Sequence, residues 1–164
     1  MLAWEDRPVE VANLLNPAFC AEVLRRCIRE YEAQSSQRLP YPLVFLVLPI
    51  LLHGKTRNHI FRRQRQTLHA WLHNYPDVRV GFGERARSLV PVTREALAFL
   101  LHAGAVQIDD QGALSSIQYK GRRSRPVQVE GDAEDCYGKA EIVGRWFARA
   151  GTTATIFAMW GVKP

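Results

Sequence analysis

From Cys20 onward, apolar residues recur every three or four positions: Cys20, Val23, Leu24, Cys27 and Tyr31, with Glu22, Arg25, Arg26 and Arg29 between them. That rhythm predicts an amphipathic helix that buries one stripe and leaves the other face to water. Asn16 followed by Pro17 predicts its start, because Asn caps free amides and Pro has no N–H to lose at the first helical position. Cys20 and Cys27 fall on the inward stripe, where a thiol behaves as a small hydrophobe. A shorter helix is expected over residues 8–15. Residues 43–52 are apolar all round, the pattern of a buried helix, and Pro49 should bend or end it.

The second half alternates period and punctuation. Residues 66–74 predict a short helix with Leu68, Trp71 and Leu72 inward, stopped by Pro76, and residues 77–89 predict the next. Pro91 should interrupt that pattern, with Thr93 capping a further helix to about residue 103 and Gly104 closing it. Val106 and Ile108 alternate before the turn-rich Asp109-Asp110-Gln111-Gly112, and Leu114 and Ile117 follow, which predicts a β-hairpin. Asp132 is expected to cap a last long helix with the seam Ala133, Cys136, Ala140, Val143, Phe147 and Ala150. On its other side Asp135 precedes Lys139, and Glu141 precedes Arg145, by four residues in the favourable order. The β-branched and aromatic stretch 152–162 is too apolar for a free tail and predicts a strand or a buried strap.

These elements predict a mainly α (α+β) fold. Residues 1–164 form a single domain, with N-terminal helices over about 8–52, a winged-helix-like region over about 66–126, and a C-terminal helix and strap over about 132–162. Three helices followed by a hairpin is the order of a winged helix-turn-helix with one β-hairpin wing. Seven of the ten residues from Arg94 to Ala103 are apolar, so the would-be recognition helix is expected to pack. Base readout needs polar side chains that reach groove edges.

At 164 residues, with 47% apolar and 23% charged residues, the composition excludes wholesale disorder. The longest apolar stretch, 41–52, is too short to cross a bilayer. Acids and a proline stand near the N-terminus, where a signal peptide would carry an apolar run. An odd number of cysteines, with no close metal-ligand pairing, argues against a disulfide framework. The expectation is a soluble, reduced, cytoplasmic protein without a membrane partner.

Charge sharpens this picture. The chain carries a net +6, and no acidic residue stands between Ala33 and Pro76. Lys55, Arg57, Arg62, Arg63 and Arg65 fall in that interval, and Lys120, Arg122, Arg123 and Arg125 surround Gly121 in the expected wing loop. Unpaired cations on one surface attract polyanions or an acidic partner, and a flexible wing suits phosphate contact without base selection. These nine residues are the candidates for nucleic-acid or acidic-partner binding; a merely solvated face is the alternative.

Candidate chemistry is sparse. Gly54-Lys55-Thr56 resembles the end of a phosphate-binding loop, but the glycine required five positions earlier is Pro49. His69 and His73 have the spacing of a metal pair without an acid between them or a third ligand nearby. The cysteines lie on apolar stripes rather than in exposed, thiolate-favouring surroundings. Ser88, Ser115 and Ser116 lack the sharp glycine turn that presents a hydrolase nucleophile. No catalytic residue, cofactor or metal site is expected.

Longer segments carry a resemblance: residues 7–19, residues 45–49, Arg87-Ser88-Leu89-Val90-Pro91-Val92-Thr93-Arg94-Glu95-Ala96, Gly144-Arg145-Trp146-Phe147-Ala148-Arg149, and Thr155-Ile156-Phe157-Ala158-Met159-Trp160-Gly161-Val162. Together they resemble the small middle component of three-component ABC systems, the group that includes Lamassu-type bacterial defence against phages and plasmids. The resemblance implies a helical, winged-helix-bearing, non-enzymatic subunit that binds an SMC/Rad50-like ABC ATPase. The assembly would sense foreign or abnormal DNA ends, with double-stranded DNA contacted without sequence selection, and would control an effector subunit, often a nuclease. The competing readings are a stand-alone winged-helix DNA-binding regulator and a small enzyme of unrecognised site.

Overall fold

Helix α1, Pro17–Ser35, runs through the middle of the protein, and its buried residues are the predicted stripe, Cys20, Val23, Leu24, Cys27 and Tyr31, joined by Ala21 and Ile28. The computed structural model describes residues 15–61, 65–117 and 131–163. The expected helix at 8–15 falls almost wholly outside them. The Asn16 side chain accepts hydrogen bonds from the Ala18 and Phe19 amides, at 2.9 and 3.3 Å, so α1 begins as Asn-Pro predicts.

A two-residue strand, β1 (Leu39–Pro40), and a 3-10 turn lead into α2, Val44–Leu51, in which every residue but Phe45 is buried. Pro49 lies within its last turn, and the helix ends two residues later. Two short helices follow, α3 (Gly54–Asn58) and α4 (Leu68–Asn74). Helix α5 then spans Phe82–His102 without a break.

That continuity corrects the expected order. Pro91 sits inside α5, and Thr93 is a fully buried mid-helix residue rather than a cap. Proline in a helix interior costs about 3 kcal/mol and removes the bond to the carbonyl four residues back. Pro91 and Arg87 are both exposed, so the interruption falls on the solvent side of the helix. Meanwhile Phe82, Ala86, Leu89, Thr93, Ala96 and Leu100 form one stripe across the proline, and its burial outweighs the local penalty. The second and third predicted helices are thus one, with no turn between them, and the hairpin follows a single long helix.

Strands β2 (Val106–Ile108) and β3 (Ala113–Ser116) form the predicted hairpin, antiparallel, with Val106 opposite Ser116 and Ile108 opposite Leu114. The Asp109 carboxylate accepts from the Gln111 and Ala113 amides, at 3.0 and 2.8 Å, and Gly112 takes φ +74°, so the tetrad is a self-bonded turn. Strand β1 adds to the far side of β3, giving the order β1-β3-β2. Its Pro40, unable to donate, suits an edge.

Helix α6, Asp132–Arg149, packs along α1 in the most extensive contact of the fold. Its predicted seam is buried at Cys136, Ala140, Val143 and Phe147. Gly131 rather than Asp132 stands at the cap position, with Asp132 in the first turn. Gly144 lets the two helices approach closely: a Cβ there would lie 2.5 Å from the Cys27 carbonyl oxygen. The Asp135–Lys139 pair forms at 2.7 Å. The Glu141–Arg145 pair does not, because both reach across to α1: Arg145 to Glu30 at 3.0 Å, and Glu141 to Arg29 at 3.0 Å.

The tail corrects a second expectation. Residues Thr153–Met159 are a helix, α7, whose cap Thr152 accepts from the Thr155 amide at 3.2 Å. Ile156, Phe157 and Trp160 are buried all the same, so the segment packs back as its composition demanded. Trp160 stacks on Phe82 at 4.2 Å and, with Trp71 and Trp146, gathers α4, α5, α6 and α7 around one aromatic centre. The buried apolar residues form one contiguous cluster. Among the described residues, no helix is long and apolar enough to cross a membrane.

Candidate functional site

The chain between α3 and α4 carries three of the candidate cations, Arg62, Arg63 and Arg65, and two indoles hold its described ends. Trp71 Nε1 donates to the His59 carbonyl, and Trp146 Nε1 donates to the Gln66 carbonyl, each at 2.8 Å. A buried indole needs an acceptor, and here each finds a backbone group that would otherwise lack a helical partner. His59 also stacks on Tyr75 at 4.4 Å. The segment thus leaves and rejoins the aromatic centre at defined points, with Phe61 57% exposed beside it.

The structure separates the candidate cations. Arg65 is exposed and lines a cleft of about 180 Å³ with Arg145 and Arg149, beside Trp146. Among the described residues Arg149 bonds the neutral Gln34, at 2.6 Å, whereas Glu30 neutralises Arg145. Arg65 and Arg149 therefore leave the cleft cationic, and Arg149 is the residue that sequence reasoning missed; its signal was only an exposed position on the last turn of a predicted helix. Lys55 is exposed on α3, on the side of His53 and Arg85. The His53 imidazole is held below its ordinary pKa by burial first and then by those two cations. It caps α3, accepting from the Thr56 amide at 3.3 Å. Arg62, Arg63, Lys120, Arg122, Arg123 and Arg125 lie outside the described residues.

Arg57 is placed differently. Its side chain is only 11% exposed and is committed to the first turn of α6, 3.1 Å from Asp132 and 3.4 Å from Asp135. It also donates to the Leu51 carbonyl at 2.9 Å, closing the C-terminus of α2. Acids in a first helical turn complement the helix dipole, and Arg57 sits against them while satisfying an orphan carbonyl. So paired, Arg57 ties α3 to the start of α6 and to the end of α2. Ten residues separate Asp135 from Arg145, so the Arg57 and Arg65 neighbourhoods lie about 15 Å apart along α6.

Other candidate chemistry is also placed. Gly54-Lys55-Thr56 forms the first turn of α3 and follows a helix, so it is not a loop wrapped around phosphate. His69 and His73 are exposed, and among the described residues no group of three or more His, Cys, Asp and Glu side chains is arranged to hold a metal. All three cysteines are buried. Burial, with smaller contributions from Cys136 and Glu95, pushes the Cys20 thiol up to about 12. The last turns of α5 depart from expectation: Ala96, Leu97 and Leu100 pack, but Phe99 and Leu101 are 48% and 39% exposed.

An open groove of about 690 Å³ lies between α5, the start of α2 and the C-terminal residues. Its walls are apolar, and the charged residues that line it are Arg87, Arg94 and Lys163.

Residues 4–164 match the family model for Middle Component 3 of ABC-three component (ABC-3C) systems. The chain belongs to this family. As a Middle Component 3 protein it is an accessory component of a multi-component ABC system, and the family is not a known catalytic one. No curated protein and no solved structure matches the chain.

Proposed function

We propose that this Middle Component 3 protein is a non-enzymatic subunit that docks on an SMC/Rad50-like ABC ATPase in a Lamassu-type bacterial defence complex. In that complex it helps couple DNA sensing to an effector nuclease. The observation that carries the reading is the family match over residues 4–164. The geometry supports it through the Arg65 and Arg149 cleft, held to the aromatic centre by the Trp71 and Trp146 N–H bonds. Guanidinium groups suit phosphate contact, which positions a duplex without reading its sequence. Arg62, Arg63, Lys120, Arg122, Arg123 and Arg125 are proposed as further contacts to a polyanion or acidic partner.

Co-expression with the other components tests this directly. The chain should co-purify in fixed stoichiometry with an ATPase of the system. Alone, it should bind duplex DNA weakly, without sequence preference, and with a steep salt dependence. An Arg65→Glu, Arg149→Glu variant should lose most of that binding while its melting temperature stays within a degree or two, since both side chains are surface groups. Operator-like selectivity by the isolated chain, or no association with any other component, would overturn the proposal. The first outcome would favour a stand-alone winged-helix regulator.

A further inference from the structure

We infer that the groove between α5 and the C-terminal residues is the seat of an acidic amphipathic helix supplied by another component of the system. The inference rests on the reading of this chain as an accessory subunit. Along α5 the groove is lined from Gly83 through Val90 to Arg94, one face of about three helical turns and roughly 16 Å long. Phe45 and Val162 form apolar surface opposite. A helix laid in such a trough buries residues at i, i+4 and i+7, which is how amphipathic helices dock in grooves.

Charge identifies the occupant further. Arg87, Arg94 and Lys163 line the groove, and among the described residues no acid does. Arg87 and Arg94 are exposed on α5, two turns apart, so acids spaced about seven residues apart on a docked helix would meet both. Nucleic acid would use the cations but leave Phe45, Val90 and Val162 facing its backbone without reward. A basic or neutral helix would leave the cations unpaired. An apolar strip flanked by Asp or Glu satisfies both features.

The test uses the full chain co-expressed with the other components. A photo-crosslinking phenylalanine analogue at Val90, with one at exposed Gln107 on the hairpin as control, is irradiated in the purified complex, and the joined peptides are sequenced by mass spectrometry. Val90 should join a single segment of another component bearing apolar residues at helical spacing with Asp or Glu beside them, and Gln107 should not join that segment. In parallel, an Arg87→Glu, Arg94→Glu variant should retain its melting temperature but recover about tenfold less partner, as the loss of complementary rim charge predicts. Cross-links to a second copy of this chain, to a basic segment or to none overturn the inference, as does full recovery by the charge-reversed variant. If the unmodified chain recovers its partner while the groove results fail, only the groove assignment falls. If the unmodified chain recovers no component, both readings fall together.

Discussion

Replacing Gly144 by alanine adds one methyl group where α1 and α6 cross, and the structure sets what it must displace. The new Cβ would stand 2.5 Å from the Cys27 carbonyl oxygen and 3.1 Å from both the Tyr31 amide nitrogen and the Glu30 Cβ. Ordinary contact begins near 3.4 Å, so the helices must part by up to nearly 1 Å at this point. Two of the three obstacles are backbone, which cannot swing away as a side chain would. Overpacking of this kind costs about 1–3 kcal/mol, and a gap of that size along an interface forfeits a quarter or more of its dispersion energy, which favours the upper end of the range. Alanine in place of a mid-helix glycine returns about 1 kcal/mol through lower unfolded-state entropy. The expected net loss is about 2 kcal/mol, a fall in Tm of roughly 4–8 °C for a chain of this length. Gly138, on the same helix, has nothing within 4 Å of its would-be Cβ, so Gly138→Ala should raise Tm by about 2–4 °C. Thermal melts followed by circular dichroism compare the two. A Gly144→Ala protein that melts at or above the parent temperature would refute the close crossing. Equal losses in both variants would locate the cost in α6 alone.

Three further outcomes can be measured on the same protein. Arg57→Met should cost about 1.5–3 kcal/mol in urea unfolding, since it strips a charged donor from the buried end of α2, whereas Asp132→Asn, at a side chain 94% exposed, should stay within about 0.5 kcal/mol. Burial holds the Cys20 thiol near 12 and raises Cys27 and Cys136 too, so iodoacetamide at pH 8 should label none of the three in the folded protein and all of them in denaturant; rapid labelling of the native chain would contradict their placement. The Asp109 carboxyl is held below its ordinary 3.8, first by the Ala113 amide and then by Arg38, so its contribution is complete above that value and lost as pH falls below it. Asp109→Asn should therefore unfold at lower urea than the parent at pH 7, with the difference closing towards pH 3; a pH-independent difference would mean the carboxylate charge plays no part.

Several features set by residues within about four positions of one another were legible in the sequence. Asn16-Pro17 begins α1, the Asp109 turn closes the hairpin, the seam from Cys136 to Phe147 lies inward, and Asp135 meets Lys139. Each is a local choice between a few backbone states, and neighbouring side chains decide it. The candidate site was legible only as composition: an acid-free, cation-rich interval whose members the fold then divides. Arg57 is consumed by acids on α6, far along the chain, while Arg65 meets Arg149 in a cleft that no spacing rule links. Tertiary packing likewise carried α5 through Pro91, because the stripe from Phe82 to Leu100 stabilises more than one missing hydrogen bond costs. It also turned the β-rich composition of the tail into α7, where burying Ile156, Phe157 and Trp160 against the aromatic centre outweighs a weak local preference for strand. Proline apart, local propensities differ by about 1 kcal/mol or less, whereas burying one large apolar side chain contributes about 1.5–3 kcal/mol, and the surface that buries it belongs to segments distant in the chain.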